Sequence, residues 1–255
     1  MSPLPSVAET VDPNAPDIRI FHQWEVQGVN AGLAGAAGGV DYRLPPEGHG
    51  LPEAWEDLAR HLDAAAMVVS RQPHGAAVRC HRPAATTGIL EGFDGHVTRE
   101  PGTYLAVTVA DCVPVYLCHP GGPCVGIIHA GWRGVAAGVV EAGIHAMTEI
   151  SEESHPDLVI HCGISICGSC YEVGPEVWVA LGEPEPKTAV PIDLRDVIAR
   201  RAQRAGVRKI TVSPACTAHH SDGLQSHRQM GLKSGRMAAY VGIVEPCTRT
   251  EIPVH

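Results

Sequence analysis

Between Ala110 and Gly134 the chain reads ADCVPVYLCHPGGPCVGIIHAGWRG, which sets a reactive cysteine, histidines, a tryptophan and an arginine around one turn. Two apolar runs, Val113 to Cys118 and Cys124 to His129, flank His119-Pro120-Gly121-Gly122, a composition that joins antiparallel strands. A turn centred between Pro120 and Gly121 pairs Cys112 with His129 across the hairpin. Their Cβ atoms would then lie about 4.5–5.5 Å apart, close enough to share one metal ion. A small buried thiol beside a hydrogen-bonded core histidine would give the same pair, so a third ligand decides between the two readings. His74, upstream in RQPHGAAV, is the candidate.

Strands and helices in alternation must position these residues. YLAVTVAD, DLVIHCGI and KITVSPACT are short β-branched runs of strand type, and EAWEDLARHL spaces Trp55, Leu58 and Leu62 as on one face of a helix. GVAAGVVEAGIHAMTEI aligns Val135, Val139, Val140, Ile144 and Met147 on one helical face. DLRDVIARRAQRAG does the same with Leu194, Val197, Ile198, Ala202 and Ala205 before a Gly206 stop. Gly35 to Pro52 reads as an exposed Gly/Pro-rich loop. The 255 residues suit one α/β domain over 18–255, preceded by a disordered leader over 1–17. That leader has neither the cationic start nor the apolar core of a signal peptide. A formal charge of -9 with 19 Lys+Arg offers no basic footprint, so nucleic acid and anionic membrane are not expected partners. Nine cysteines without a secretion signal point to reduced thiols and a cytoplasmic location.

Further motifs stand in a fixed order. They are Gln72/His74/Gly75, Asp94/Val97/Thr98, Ala110-Asp111-Cys112, His129 to Gly134, Tyr171 to Gly174, Cys216-Thr217, Ser226-His227-Arg228 and Gly235-Arg236. This order, over residues 72 to 243, resembles the laccase-domain proteins, once called polyphenol oxidases and now regarded as purine nucleoside phosphorylases. The resemblance implies a layered α/β/β/α sandwich shared with cytotoxic necrotizing factor toxins, with His74, Cys112 and His129 as zinc ligands and copper the weaker candidate. It implies a metalloenzyme acting on purine nucleosides by phosphorolysis or deamination, or a derived reaction on a related small molecule. Two imidazoles and one thiolate leave a fourth tetrahedral position open, which is the catalytic pattern for zinc. Water there loses a proton near neutral pH and attacks an electrophilic carbon such as purine C6. Phosphorolysis needs cations for phosphate, and Arg133, Arg228 and Arg236 are the motif arginines available. Arg133 is assigned to catalysis and Arg228 to substrate, and Tyr171 is the candidate for stacking on a base. Asp111, beside Cys112, is the candidate acid, although strand alternation turns it to the opposite face, where a structural hydrogen bond is its other role.

The N-terminal stretch FHQWEVQGVNAGLAGAAGG departs from the family pattern, with Glu25 where an arginine is usual at the pocket rim. A shifted substrate is the expectation unless Arg43 folds back into the vacant place. CGISIC lacks the usual proline, and His227 replaces the customary aromatic.

Three competing readings follow from the same residues. Cys112 and His129 would also serve as nucleophile and base of an amidase editing a peptidoglycan precursor. A paralogue that binds a small molecule without turning it over is the second. The third, a multicopper phenol oxidase, lacks the H-x-H pairs that such clusters need. Cys162, Cys167 and Cys170 begin an iron–sulfur spacing, but no fourth cysteine follows before Cys216. These three read as free thiols, and His119, His219 and His220 as surface histidines.

Overall fold

The computed structural model describes residues 4–35, 39–82, 86–119, 124–151, 157–219 and 223–244, with the side chains of 25–27 outside that description. One sheet has seven strands in the order β1 (Thr10–Asp12), β2 (Ala15–Ile20), β3 (Val29–Ala34), β15 (Met237–Ile243), β8 (Thr103–Val109), β4 (Ala66–Arg71) and β6 (Gly88–Glu91). A second has six, in the order β14 (Lys209–Val212), β11 (Val159–Cys162), β9 (Val113–His119), β10 (Cys124–Ala130), β7 (Gly95–Thr98) and β5 (Val78–His81).

The two sheets face each other across a shared core. Leu33, Leu105, Val107, Ala239 and Val241 from the first meet Tyr116, Cys118, Val125 and Ile127 from the second. The alternate residues of β9 and β10, among them Val115, Leu117 and Ile128, turn outward onto helices α3 (Val139–Ser151) and α5 (Leu194–Arg204). Burial on both faces is why these strands read as unbroken apolar runs instead of an alternating pattern. Across the first sheet, Trp55 and Leu58 of α1 (Glu53–His61), with Leu62 just beyond it, pack on Met67, Val69, Ala106 and Tyr240. Each buried aliphatic side chain there contributes about 1.5–3 kcal/mol. Helix, sheet, sheet and helix stack in the expected α/β/β/α order.

Three expectations need correction. Part of the supposed leader is structured, because Thr10–Asp12 and Ala15–Ile20 form strands, and Glu9 buries its carboxylate against Ser213 and His161 at 2.6 Å and 3.2 Å. The single helix expected over Gly134 to Ile150 is two, α2 (Trp132–Ala137) and α3, broken where Gly138 takes a left-handed φ of 92°. The hairpin register is displaced by two residues, so His129 pairs with Pro114 and His119 with Cys124, and Cys112 lies in the bend just before the paired strand. A displacement of two preserves the face on which each side chain lies. The Pro120-Gly121-Gly122 turn and His220 lie outside the described residues. Among the described residues no helix is long and apolar enough to cross a membrane.

Candidate functional site

Three chain segments meet where the hairpin leaves the sheet. His129 comes from β10, Cys112 from the bend joining β8 to β9, and His74 from the loop after β4. Their donor atoms all lie within 4.8 Å of one another. The imidazoles of His74 and His129 meet edge to face with centroids 4.7 Å apart. Two of the backbone conformations are left-handed, at His74 (φ 63°) and Asp111 (φ 86°), a region that non-glycine residues seldom occupy. Such strain persists only where surrounding bonds hold it. At His74 the holder is Asp94, fully buried, whose carboxylate accepts from His74 N at 3.0 Å and Gly75 N at 2.7 Å.

The same carboxylate accepts from His129 Nδ1 at 2.9 Å. That bond fixes the proton on Nδ1 and leaves Nε2 as the free donor for a metal. Gly131 admits the ligands close to the backbone, since a Cβ there would stand 3.0 Å from Cys112 Sγ and 3.1 Å from His74 Cδ2. Burial raises the Cys112 thiol, but the two imidazoles outweigh it and bring the pKa down to about 6. Burial lowers His129, yet the Cys112 thiolate and the Asp94 carboxylate outweigh it and push it up to about 9. A thiolate already favoured at neutral pH beside two imidazoles is the donor set that zinc takes, and the residues fit such an ion.

These donors line a cavity of about 550 Å³. Arg43, Arg71, Arg133, Arg228 and Arg236 also line it, a concentration of cations on a chain that is acidic as a whole. Arg133 stacks on the Trp132 ring at 4.4 Å, and Arg228 lies over Tyr171 at 5.1 Å. Arg43 reaches the cavity from the Gly/Pro-rich loop, where its guanidinium donates to Ser234 O at 2.7 Å. That loop is held from below by Trp55, whose indole N–H donates to Tyr42 O at 3.1 Å. Both Asp111 oxygens are engaged: Oδ1 accepts from Thr217 Oγ1 at 2.6 Å and Oδ2 from Arg228 N at 2.6 Å. Asp111 borders the cavity and ties down the start of the short helix α6 (His227–Met230) that carries Arg228. Burial and the neighbouring Cys112 raise the Tyr171 phenol to about 12, so it stays neutral.

The structure therefore gathers His74, Asp111, Cys112, His129, Arg133, Tyr171, Arg228 and Arg43 around one cavity. Sequence reasoning passed over Asp94 as a site residue, although its Asp-x-x-Val-Thr motif was visible. It also missed Gln72, which binds Thr108 N and O through its amide at 2.8 Å and 2.9 Å and anchors the loop carrying His74. Glu25 falls in the 3-10 turn His22–Gln27, its side chain outside the described residues.

Fold and site define a two-sheet α/β protein with a Cys-His-His donor set opening into an arginine-lined cavity. The family described as multi-copper polyphenol oxidoreductase laccase matches residues 51–244, and the chain belongs to that family. Among curated relatives, purine nucleoside phosphorylase ORF3 of Streptomyces griseus is 34% identical over 197 residues, covering 73% of this chain and 78% of the relative. Purine nucleoside phosphorylase YlmD of Bacillus subtilis is 27% identical over 205 residues, covering 76% and 72% respectively. The crystal structure of YlmD from Geobacillus stearothermophilus superposes with a TM-score of 0.78 at 26% identity, covering 93% of this chain and all of that one.

Proposed function

We propose that this protein is a zinc-dependent purine nucleoside phosphorylase, in which His74, Cys112 and His129 hold the metal and the cavity arginines hold phosphate. The observation that carries the reading is that one cavity joins a three-ligand donor set to five arginines. The relatives named purine nucleoside phosphorylase support the same substrate class. Zinc held by His74, Cys112 and His129 would supply a Lewis acid to the cavity.

The chain's own residues do the rest. In phosphorolysis an oxygen of hydrogen phosphate bonds to the sugar C1′ as the C1′–N9 bond breaks; the electron pair of that broken bond leaves with the base, which takes up the proton the phosphate gives up. The products are a free base and a pentose 1-phosphate. Arg133 and Arg228 hold the phosphate through charge-assisted hydrogen bonds worth about 1.5–3 kcal/mol each. Their charges also stabilise the negative charge that builds on the leaving base. Tyr171 offers its ring to the base. Asp111 acts as a positioning residue through its bond to Arg228 N. Arg43 lines the cavity, which supports ordinary nucleosides as substrates with Arg43 in the role of the family's rim arginine.

A second reading draws on one observation. Cys112, His129 and Asp94 also fit a nucleophile, base and orienting acid, the arrangement of a cysteine hydrolase. A nucleoside panel incubated with and without phosphate, with products read by mass, separates the cases. Pentose 1-phosphate formed only with phosphate supports phosphorolysis. Inosine formed from adenosine without phosphate points to deamination. No nucleoside turnover, together with a covalent adduct on Cys112 from amide substrates, favours the hydrolase.

A further inference from the structure

A second cluster of metal-ligating side chains lies outside the catalytic donor set. β11 and β14 are parallel neighbours, with Cys162 paired to Val212, so their C-terminal ends emerge side by side. The bridge Ser165 to Cys216 and the bond from Thr217 N to Ser165 O at 3.1 Å extend that pairing into the following loops. One loop carries Cys167 and Cys170 about a 3-10 turn over Gly168–Cys170, closed by Cys170 N donating to Cys167 O at 3.1 Å. The other carries Cys216 and His219. Parallel pairing thus brings together four donors that lie roughly fifty residues apart in two groups.

We propose that Cys167, Cys170, Cys216 and His219 bind a second zinc ion, in a closed structural site. All four donor atoms lie within 4.8 Å of one another. His219 Nδ1 is 3.5 Å from Cys167 Sγ and 3.2 Å from Cys170 Sγ. A tetrahedral ion with bonds of 2.0–2.3 Å needs donor separations of about 3.5–3.8 Å, so small adjustments complete the site. Two backbone N–H groups, from Cys167 at 3.3 Å and Ala218 at 3.4 Å, already point at Cys216 Sγ and would stabilise it as a thiolate. Three thiolates and one imidazole form a soft set that selects zinc over hard cations. Four protein ligands leave no open position, which separates this site in kind from the three-ligand centre.

The site has a task that its neighbours reveal. Tyr171 follows Cys170, Thr217 follows Cys216, and Ile166, Cys216 and Ala218 pack with Tyr171. Thr217 in turn donates to Asp111, which holds Arg228 N. An ion at the cluster would therefore pin the cavity wall that presents Tyr171 and Arg228.

Zinc per chain, measured on protein purified under reducing conditions, tests the proposal. Two zinc ions are expected in the natural chain, one in His74→Ala, one in His219→Ala, and two again in His219→Cys, which restores a fourth ligand. Metal content that is the same in His219→Ala as in the natural chain would overturn the site, and so would a Cys167–Cys170 disulfide found by peptide mapping of the alkylated, unreduced protein. One ion that survives His74→Ala but not His219→Ala would support this site while contradicting the catalytic centre. Should His219→Ala fail to fold, cobalt(II) added to metal-depleted His74→Ala protein should give the sulfur-to-cobalt absorption of a tetrahedral thiolate site, and its absence would count against the proposal.

Discussion

Asp94→Asn isolates how the candidate centre is held, because the side chain keeps its shape but loses its negative charge and its second acceptor. The carboxylate serves three donors, His129 Nδ1 at 2.9 Å, His74 N at 3.0 Å and Gly75 N at 2.7 Å. An asparagine has one oxygen for them. In its least costly orientation the oxygen stays on His129 and His74, while the amide NH2 faces the Gly75 N–H, donor against donor. Losing that charge-assisted bond in a fully buried place costs about 1.5–3 kcal/mol. Part of the cost falls on His74, whose left-handed backbone depends on the same anchor. A partner that orients a metal ligand is commonly worth 10–100-fold in affinity, or about 1.4–2.7 kcal/mol, which agrees with one lost bond. Competition for zinc against a chromophoric chelator, in the His219→Ala background so that the second thiol cluster stays silent, should show weakening of that size. Urea denaturation of the metal-free protein should show a matching loss of stability. Affinity within about twofold of the parent would refute the reasoning that Asp94 holds the donor set in place.

The same geometry fixes further outcomes. Gly131→Ala should weaken zinc binding with little loss of helix content by circular dichroism, because the new Cβ presses on Cys112 Sγ and His74 Cδ2 at 3.0 Å and 3.1 Å; unchanged affinity would mean the ligands move aside freely. Alkylation of Cys112 in metal-free protein, followed by peptide mass mapping, should show a midpoint at about pH 6, moving up toward the ordinary thiol value of 9.0 in His129→Ala. Folding stability should not follow that midpoint: the lowered Cys112 gains stability as pH rises from about 6 to 9.0, while the raised His129 loses it from 6.5 to about 9, so the pair leaves metal-free stability nearly level across that window in urea titrations. Arg43→Ala should raise KM for nucleoside or phosphate by roughly ten- to hundredfold, the worth of one charge-assisted contact, with zinc content unchanged, and Trp55→Phe should give a smaller effect in the same direction by freeing the Tyr42 carbonyl that its indole holds.

The nearness of Cys112 to His129 was legible in the sequence despite a wrong register, whereas His74 joined them through the family resemblance. The hairpin pairing was off by two residues, yet Cys112, in the bend just before the paired strand, still brings its sulfur to His129. Individual strands and helices were legible through apolar runs and through helical spacing such as that of Trp55, Leu58 and Leu62, whereas their layering was implied by the family resemblance. The break at Gly138 was not, because the apolar spacing runs across it and only the left-handed turn interrupts the helix. Asp94 was seen as a motif letter and not as the acid behind two ligands, since its partner His129 reaches it only when β7 pairs with β10. Cys167 and Cys170 read as free thiols for a related reason. Their companions Cys216 and His219 arrive through parallel pairing of β11 with β14, which no local spacing records.

The central claim is that one cavity couples a zinc centre to phosphate-dependent cleavage of a purine nucleoside. Formation of pentose 1-phosphate from inosine or adenosine, followed by phosphorus NMR in metal-depleted protein, in the same protein after zinc is returned, and in His74→Ala, tests it most directly. No product is expected in the first, full product in the second and none in the third. Undiminished phosphate-dependent turnover in the metal-depleted protein would contradict it.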